Sequence, residues 1–284
     1  MAQGDHFQIL DLIVRDLHLM ESQEDLASLA LMQTARAISA ESGAIFLLND
    51  DGGLFPIACI GTDLESLRRK DFRIGSGIAG LTEQSGRLLT VHDPKNDPEY
   101  FNAIDLKSQH DFRSVIAAPI VSRGTTKGVI ELVNNCSGRF SPEDCRLATV
   151  LGCVLGEAFD KLDLFKELEK SEALNTAIIE SLNAGLIVVA PDTTVILANS
   201  RASSILSLAS IPRSANIHTL LADYATLADT VKRVLLSWEM ISRQEISIDL
   251  PGASRRIGYS CVPVRAKDKS LLGAALLFQD ISKF

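Results

Sequence analysis

Ser114-Val115-Ile116-Ala117-Ala118-Pro119-Ile120-Val121, Ser122-Arg123-Gly124-Thr125 and Lys127-Gly128-Val129-Ile130-Glu131-Leu132-Val133-Asn134 read together as two strands and the turn between them. Runs this continuously apolar belong to a sheet covered over most of its area. One residue breaks the second run. Glu131 stands among Val129, Ile130, Leu132 and Val133, and a buried carboxylate needs a partner. That partner is either a nearby cation such as Arg113 or a ligand.

Working back toward the N-terminus, Ala44–Leu48 and Leu54–Ile60 form a hairpin around Asn49-Asp50-Asp51-Gly52-Gly53, and Leu88–Val91 is a third short strand. Two helices precede them. The first, Asp5 to Met20, carries an apolar stripe at Phe7, Leu10, Val14 and Leu17 and is expected to dimerise (residues 1–21). The second starts at the capping Ser22 and stops before Gly43. His92–Phe112, with Pro94, Asn96 and Pro98, is a long irregular connection of the kind that covers binding sites.

Toward the C-terminus, Ser141-Pro142-Glu143-Asp144 is a strong helix start. Leu151, Leu155, Ala158, Leu162 and Phe165 then step 4-3-4-3, as a coiled-coil seam does. The phase slips at Leu168, turns polar at Ser171 and Asn175, and resumes at Ile178 and Leu182. A connecting helix over 141–182 is therefore expected to pair with a second copy. Beyond Asn183-Ala184-Gly185 lies a second strand-rich unit: strands Leu186–Ala190, Val195–Ala198, Gln244–Leu250, Arg255–Arg265 and Leu271–Gln279, and helices Arg201–Leu206 and Asp223–Ser242. The fold class is α+β, with two domains, each an antiparallel sheet flanked by helices, joined by a long helix.

The 284 residues carry a net charge of −8, which disfavours nucleic acid as the main partner. No apolar run approaches the roughly 20 residues of a membrane span, no export leader opens the chain, and a cytoplasmic location is expected. Cys59, Cys136, Cys145, Cys153 and Cys261 include no C-x-x-C pair, and His6, His18, His92, His110 and His218 are dispersed, so neither disulfides nor a metal are expected. Asn199 reads as a capping residue at a strand end. No nucleophile elbow, Walker loop or zinc-protease motif occurs, and no catalytic residue is assigned.

Gly75-Ser76-Gly77-Ile78-Ala79-Gly80, Gln84-Ser85-Gly86, His92 to Pro98, Ala118-Pro119-Ile120 and Gly128 to Asn134 together resemble the GAF domain family, over residues 22–159. Gly185 to Val189, Ile196 to Asn199 and Leu277 to Ile281 resemble a PAS domain, over 172–284. The GAF resemblance implies a six-stranded sheet and a small-molecule pocket, most similar to the cyclic-nucleotide-binding members. On that resemblance Ile78 and Ala79 would offer backbone N–H groups to a phosphate, Phe101 would stack on a base, Asp105 and Ser108 would contact the ligand, and Glu131 would reach in from the sheet. Asn134, Phe140 and Asp144 match a structural motif of those members. Asn135 and Cys145 depart from it, standing in place of a Lys and a Glu, Phe112 replaces a small hydroxyl residue, and Ile60-Gly61 replaces Phe-Asp. A cyclic nucleotide, a different small molecule and an empty pocket all stay open, without a metal or a covalent chromophore.

The ending Asp280-Ile281-Ser282 is similar to PAS domains that lead into histidine-kinase dimerisation helices. The resemblance as a whole implies the sensory region of a two-component sensor kinase, with the output enzyme outside this chain. Alternatives are a ligand-free dimerisation scaffold, or the regulatory part of an enhancer-binding transcription activator or a cyclic-di-GMP enzyme.

Overall fold

The computed structural model describes residues 22–49, 51–69, 75, 77–93, 112–250 and 253–282. The expected N-terminal dimerisation helix and most of the 92–112 connection, with Phe101, Asp105 and Ser108, lie outside these residues. The chain divides into two compact units, Met1–Leu168 and Glu169–Phe284.

In unit 1, helix α1 (Gln23–Ala37) begins at Ser22, whose hydroxyl accepts the Asp25 N–H. Strands β1 (Ala40–Leu48) and β2 (Leu54–Ile60) form the expected hairpin, followed by α2 (Leu64–Arg68), α3 (Gly77–Ser85) and β3 (Leu89–His92). Strands β4 (Ser114–Ser122) and β5 (Thr125–Asn135) complete an antiparallel sheet of order β2-β1-β5-β4-β3. Five strands are present among the described residues, where the family resemblance implied six. β1 starts four residues earlier than its apolar run because Ala40 still pairs with Asn135.

Strand alternation divides the sheet's side chains between two cores. Ile45, Ile116, Ile120, Ile130 and Leu132 face Leu26, Leu31 and Ile38 after α1, and Leu147, Leu151, Leu155 and Phe159 of helix α4 (Pro142–Ser181). Ala44, Phe46, Val91, Val115, Ala117, Val129 and Val133 face the other way, with Ile78 and Ala79 of α3. α4 can lie directly on β4 because it presents Gly152 and Gly156 there: an added Cβ would stand 2.2 Å from the Pro119 carbonyl oxygen at the first and 2.2 Å from the Val121 oxygen at the second.

This packing revises the expected seam. Leu151, Leu155 and Ala158 are interior residues of unit 1 and are not available to a partner. At 100° per residue, Leu164 and Leu168 stand roughly half a turn round from Leu162 and Leu155. From Leu164 onward the stripe Leu164, Leu168, Ser171, Asn175, Ile178, Leu182 steps 4-3-4-3-4, and its Leu and Ile members are exposed. The phase slip in the sequence marks the place where one helix changes the side it uses.

Unit 2 holds β6 (Gly185–Val189), β7 (Val195–Ala198), α5 (Ser200–Ile205), α6 (Ile217–Leu220), α7 (Ala225–Ser237), β8 (Ile241–Leu250), β9 (Ala253–Arg265) and β10 (Leu271–Asp280). Its sheet is antiparallel with order β7-β6-β10-β9-β8. One interior cluster joins Ile187, Val189, Ile257, Leu276 and Phe278 of the sheet to Leu227, Val231 and Val234 of α7. The expected helix to Ser242 is corrected: α7 ends at Ser237, and Trp238 caps it in the left-handed conformation (φ 59°). That position usually takes Gly, so the sequence carried no stop signal. Here Arg265 holds the turn, its guanidinium over the Trp238 ring at 5.9 Å and donating to the Trp238 carbonyl at 2.8 Å.

Candidate functional site

β5 is the central strand of unit 1, and Glu131 lies midway along it. It pairs with Ala44 of β1 on one side and Ala117 of β4 on the other. Ala44 pairs in turn with Cys59, and Ala117 with Leu89. Cys59, Ala44, Glu131, Ala117 and Leu89 thus form one row across all five strands, with the carboxylate at its centre and a methyl group on either side. Larger neighbours, Val129 and Val133, flank Glu131 along its own strand on the same face.

No hydrogen bond or ion pair reaches the Glu131 carboxylate among the described residues. The residue is half-buried, and desolvation among apolar neighbours pushes its carboxyl pKa up to about 7. The alternative partner, Arg113, is engaged elsewhere: its guanidinium pairs with Glu41, and its backbone N–H donates to Asn134 Oδ1 at 2.8 Å. Arg113 in turn holds the Glu41 carboxyl below the usual range.

Helix α3 overlies this face. Gly75 and Gly77, both at φ +71°, make a tight entry to the helix. Ile78 and Ala79 follow in the first turn, with side chains buried in the apolar cluster and N–H groups among those a helix leaves without an intrahelical acceptor. Thr82, one turn further along the same side, is fully buried and its hydroxyl has no hydrogen-bond partner; Glu83 Oε2 is likewise buried without one. Of the six candidate pocket residues, the structure brings Ile78, Ala79 and Glu131 to one face of the sheet; Phe101, Asp105 and Ser108 lie outside the described residues.

The three motif residues occupy structural positions. Phe140 is buried in the α1/α4 core. Asp144 accepts the Ser141 N–H at 2.7 Å while Ser141 Oγ accepts the Asp144 N–H at 3.2 Å, a reciprocal cap at the start of α4. Asn134 stands next to the last residue of β5 at φ +61°, and its Oδ1 accepts the Arg113 N–H. Its neighbour Asn135, in the sequence only a departure from the family motif, proves to be a brace: Nδ2 donates to the Ile38 carbonyl at 2.6 Å, and Oδ1 accepts from the Ser137 N–H at 2.7 Å.

In unit 2 the unforeseen hub is Asn199, which is 1 % exposed. Its Oδ1 accepts from the Ala202 N–H and from the Leu186 N–H, each at 2.9 Å. Its Nδ2 donates to the Ala184 carbonyl at 2.9 Å and to the Ile179 carbonyl at 3.1 Å. Beside it, Glu180 Oε2 accepts the Ser200 N–H at 2.9 Å. The last turn of α4 is thereby tied to β6 and α5. A cleft of about 480 Å³ opens against this junction, lined by Glu180, Asn199, Ser203 and Ile211 among others. No group of His, Cys, Asp and Glu suited to a metal ion occurs among the described residues, and no helix among them is long and apolar enough to cross a membrane.

Comparison with known proteins agrees with this division. Residues 22–158 match the GAF domain family and residues 173–281 the PAS fold. The chain carries a GAF domain followed by a PAS domain, both sensory domain types. A Caenorhabditis elegans protein described as "Probable 3',5'-cyclic phosphodiesterase pde-5" is 25% identical over 185 residues, which is 61% of this chain and 25% of that protein. The chain thus spans about a quarter of the length of that curated relative. Among solved structures, the GAF domain of an Acinetobacter phosphoenolpyruvate-protein phosphotransferase is 18% identical with a TM-score of 0.51, over 58% of this chain and 97% of that one. The corresponding domain from Coxiella burnetii is 17% identical with a TM-score of 0.50, over 58% and 98%. These structural likenesses concern the fold of unit 1.

Proposed function

We propose that this chain is the sensory part of a signal-transduction protein. A small molecule binds on the α3 face of the unit 1 sheet, and α4, paired with its counterpart in a second copy, carries the consequence to the PAS domain and an output domain, a histidine kinase on the PAS-ending resemblance. The observation that carries the reading is the unpartnered Glu131 at the centre of the sheet with an alanine on each side. Structural sheets do not keep a charge there unless something answers it.

Two features support the relay. Leu164, Phe165, Leu168, Leu174 and Ile178 are 51 to 60 % exposed, an apolar load that a soluble single helix does not ordinarily leave in water. Ser171 and Asn175 interrupt the seam, which weakens any one register and brings two registers closer in energy. A cyclic nucleotide is one occupant the C. elegans similarity suggests for the unit 1 site.

A disulfide-crosslinking scan with single cysteines at positions 164–182 tests the relay. Strong crosslinks at 164, 168, 171, 175, 178 and 182, redistributing when a ligand is added, are expected. A monomer at micromolar concentration, or a pattern indifferent to every ligand that binds unit 1, overturns it. The scaffold reading gains from the second outcome, because it requires the dimer and no ligand response.

A further inference from the structure

We propose that the centre of the α3-covered sheet face is a site for a small ligand bearing a cationic nitrogen headgroup, a primary ammonium or a guanidinium, received by the Glu131 carboxylate. This deepens the sensor reading and rests on its placing of the ligand at that face.

The argument begins with what surrounds the carboxylate. Its four sheet neighbours on this face are Ala44, Ala117, Val129 and Val133, none of which can donate a hydrogen bond from its side chain. The titratable and charged groups on the elements packed against this face are Cys59 on β2, Glu65 and Arg68 on α2, Glu83 on α3, the exposed His92 ending β3, and the Glu41–Arg113 pair at the start of β1 and just before β4. The cations among them are engaged. Arg68 pairs with Glu65 at 3.0 Å and lies over the Phe55 ring at 5.0 Å, and Arg113 pairs with Glu41. Lys127, on Glu131's own strand, pairs with Asp160 at 3.1 Å. No charged group among the described residues answers the Glu131 carboxyl, whose pKa is moved by burial alone.

A desolvated carboxylate, once ionised, repels a second anion and attracts a cation. An alkylammonium or guanidinium supplies the missing charge and the missing donors in one group. Ala44 and Ala117 set only methyl groups beside Glu131 in its row, and the valines and Phe46 of the same face are apolar, as an aliphatic stem requires.

Isothermal titration of the full chain with butylamine and agmatine as cations, butanol as the neutral control, and butyrate, cyclic AMP and cyclic GMP as anions tests the assignment, in wild type and Glu131→Gln. A cation that uses ionised Glu131 binds about tenfold more tightly at pH 8 than at pH 6, because the ionised fraction rises about tenfold across a pKa of about 7. It also releases protons on binding, read from the heats in two buffers, and loses at least tenfold in affinity in Glu131→Gln. Absence of cation binding below 10 mM, equal cation affinity in the variant, or anion binding that tightens toward pH 6 overturns the inference. The crosslinking scan separates the two proposals. A nucleotide that binds independently of Glu131 and shifts the α4 crosslinks refutes the cation class alone. A cation that binds through Glu131 and leaves the crosslinks unchanged refutes the relay alone.

Discussion

Replacing Glu131 with Gln should stabilise unit 1, increasingly so as the pH rises. Burial raises the carboxyl from 4.5 to about 7, so between these values the folded state holds a proton that the unfolded chain has released. A raised carboxylate pKa therefore favours the fold fully below pH 4.5 and progressively less up to pH 7, with no further change above. At about 1.4 kcal/mol per pK unit, the wild type gives up about 3 kcal/mol of stability on going from pH 4.5 to pH 8 through this one group. The substituted glutamine keeps the shape and a polar terminus and does not titrate. The two proteins should thus differ little at pH 4.5 and by about 3 kcal/mol at pH 8, which for a domain of this size is roughly 10 °C in Tm. Calorimetric melts across that pH range measure the difference directly. The chain's single tryptophan, Trp238, lies in unit 2, so its fluorescence reports that unit and serves as an internal control. Parallel pH profiles for wild type and variant would refute the reasoning, since they would mean that Glu131 meets water or an unseen cation in the folded protein.

Three further outcomes follow from the packing. Gly156→Ala sets a methyl group 2.2 Å from the Val121 oxygen, so α4 must move off β4, at a cost of about 2 kcal/mol or more in urea unfolding. Asn199→Ala leaves the Leu186 and Ala202 N–H groups and the Ile179 and Ala184 carbonyls without their side-chain partner; about 3 kcal/mol should be lost from the unit 2 transition followed at Trp238. Thiol labelling in the native state should reach Cys136 and Cys153 first and Cys261 last, because the first two are exposed while burial pushes the Cys261 thiol up to about 12; mass spectrometry of the labelled peptides gives the order.

What was legible in the sequence was whatever local chemistry determines. Ser22 and Ser141 cap the helices whose starts they mark, and the strands of both units fall where apolar runs and turn residues place them. Glu131 stands out because a charge inside a valine and isoleucine run is improbable at any register. The meaning of Ala44 and Ala117 was not legible, since an alanine is seen to flank a carboxylate only once the strands are aligned. Trp238 hides a helix end for the same kind of reason: its left-handed turn is secured by Arg265, twenty-seven residues away. In the sequence Asn135 is a family departure and Asn199 a local cap, yet each joins segments distant in sequence, which a side-chain amide does with both ends at once.

The long helix carries this lesson furthest. Its apolar residues, taken together, suggest a single seam from Leu151 to Leu182, and periodicity alone cannot say which of them another part of the same chain already covers. The sheet of unit 1 covers the first half: Leu151 and Leu155 are fully buried, each worth roughly 2 kcal/mol of transfer free energy to the fold. That anchors the helix axially and rotationally through residue 159. The last turn is anchored as firmly, by Asn199 and Glu180 on unit 2. Between the anchors, residues 164–178 expose leucines and an isoleucine and make no such ties. Gly152 and Gly156 set α4 against β4 at backbone distance, so on the proposed relay a shift of β4 would reach the helix there, with no side chain to absorb it. On the same proposal it would leave α4 at Asn199, which holds the Ile179 carbonyl. In the stretch between, the polar Ser171 and Asn175 interrupt the exposed apolar stripe, and there the proposed change of register would cost least.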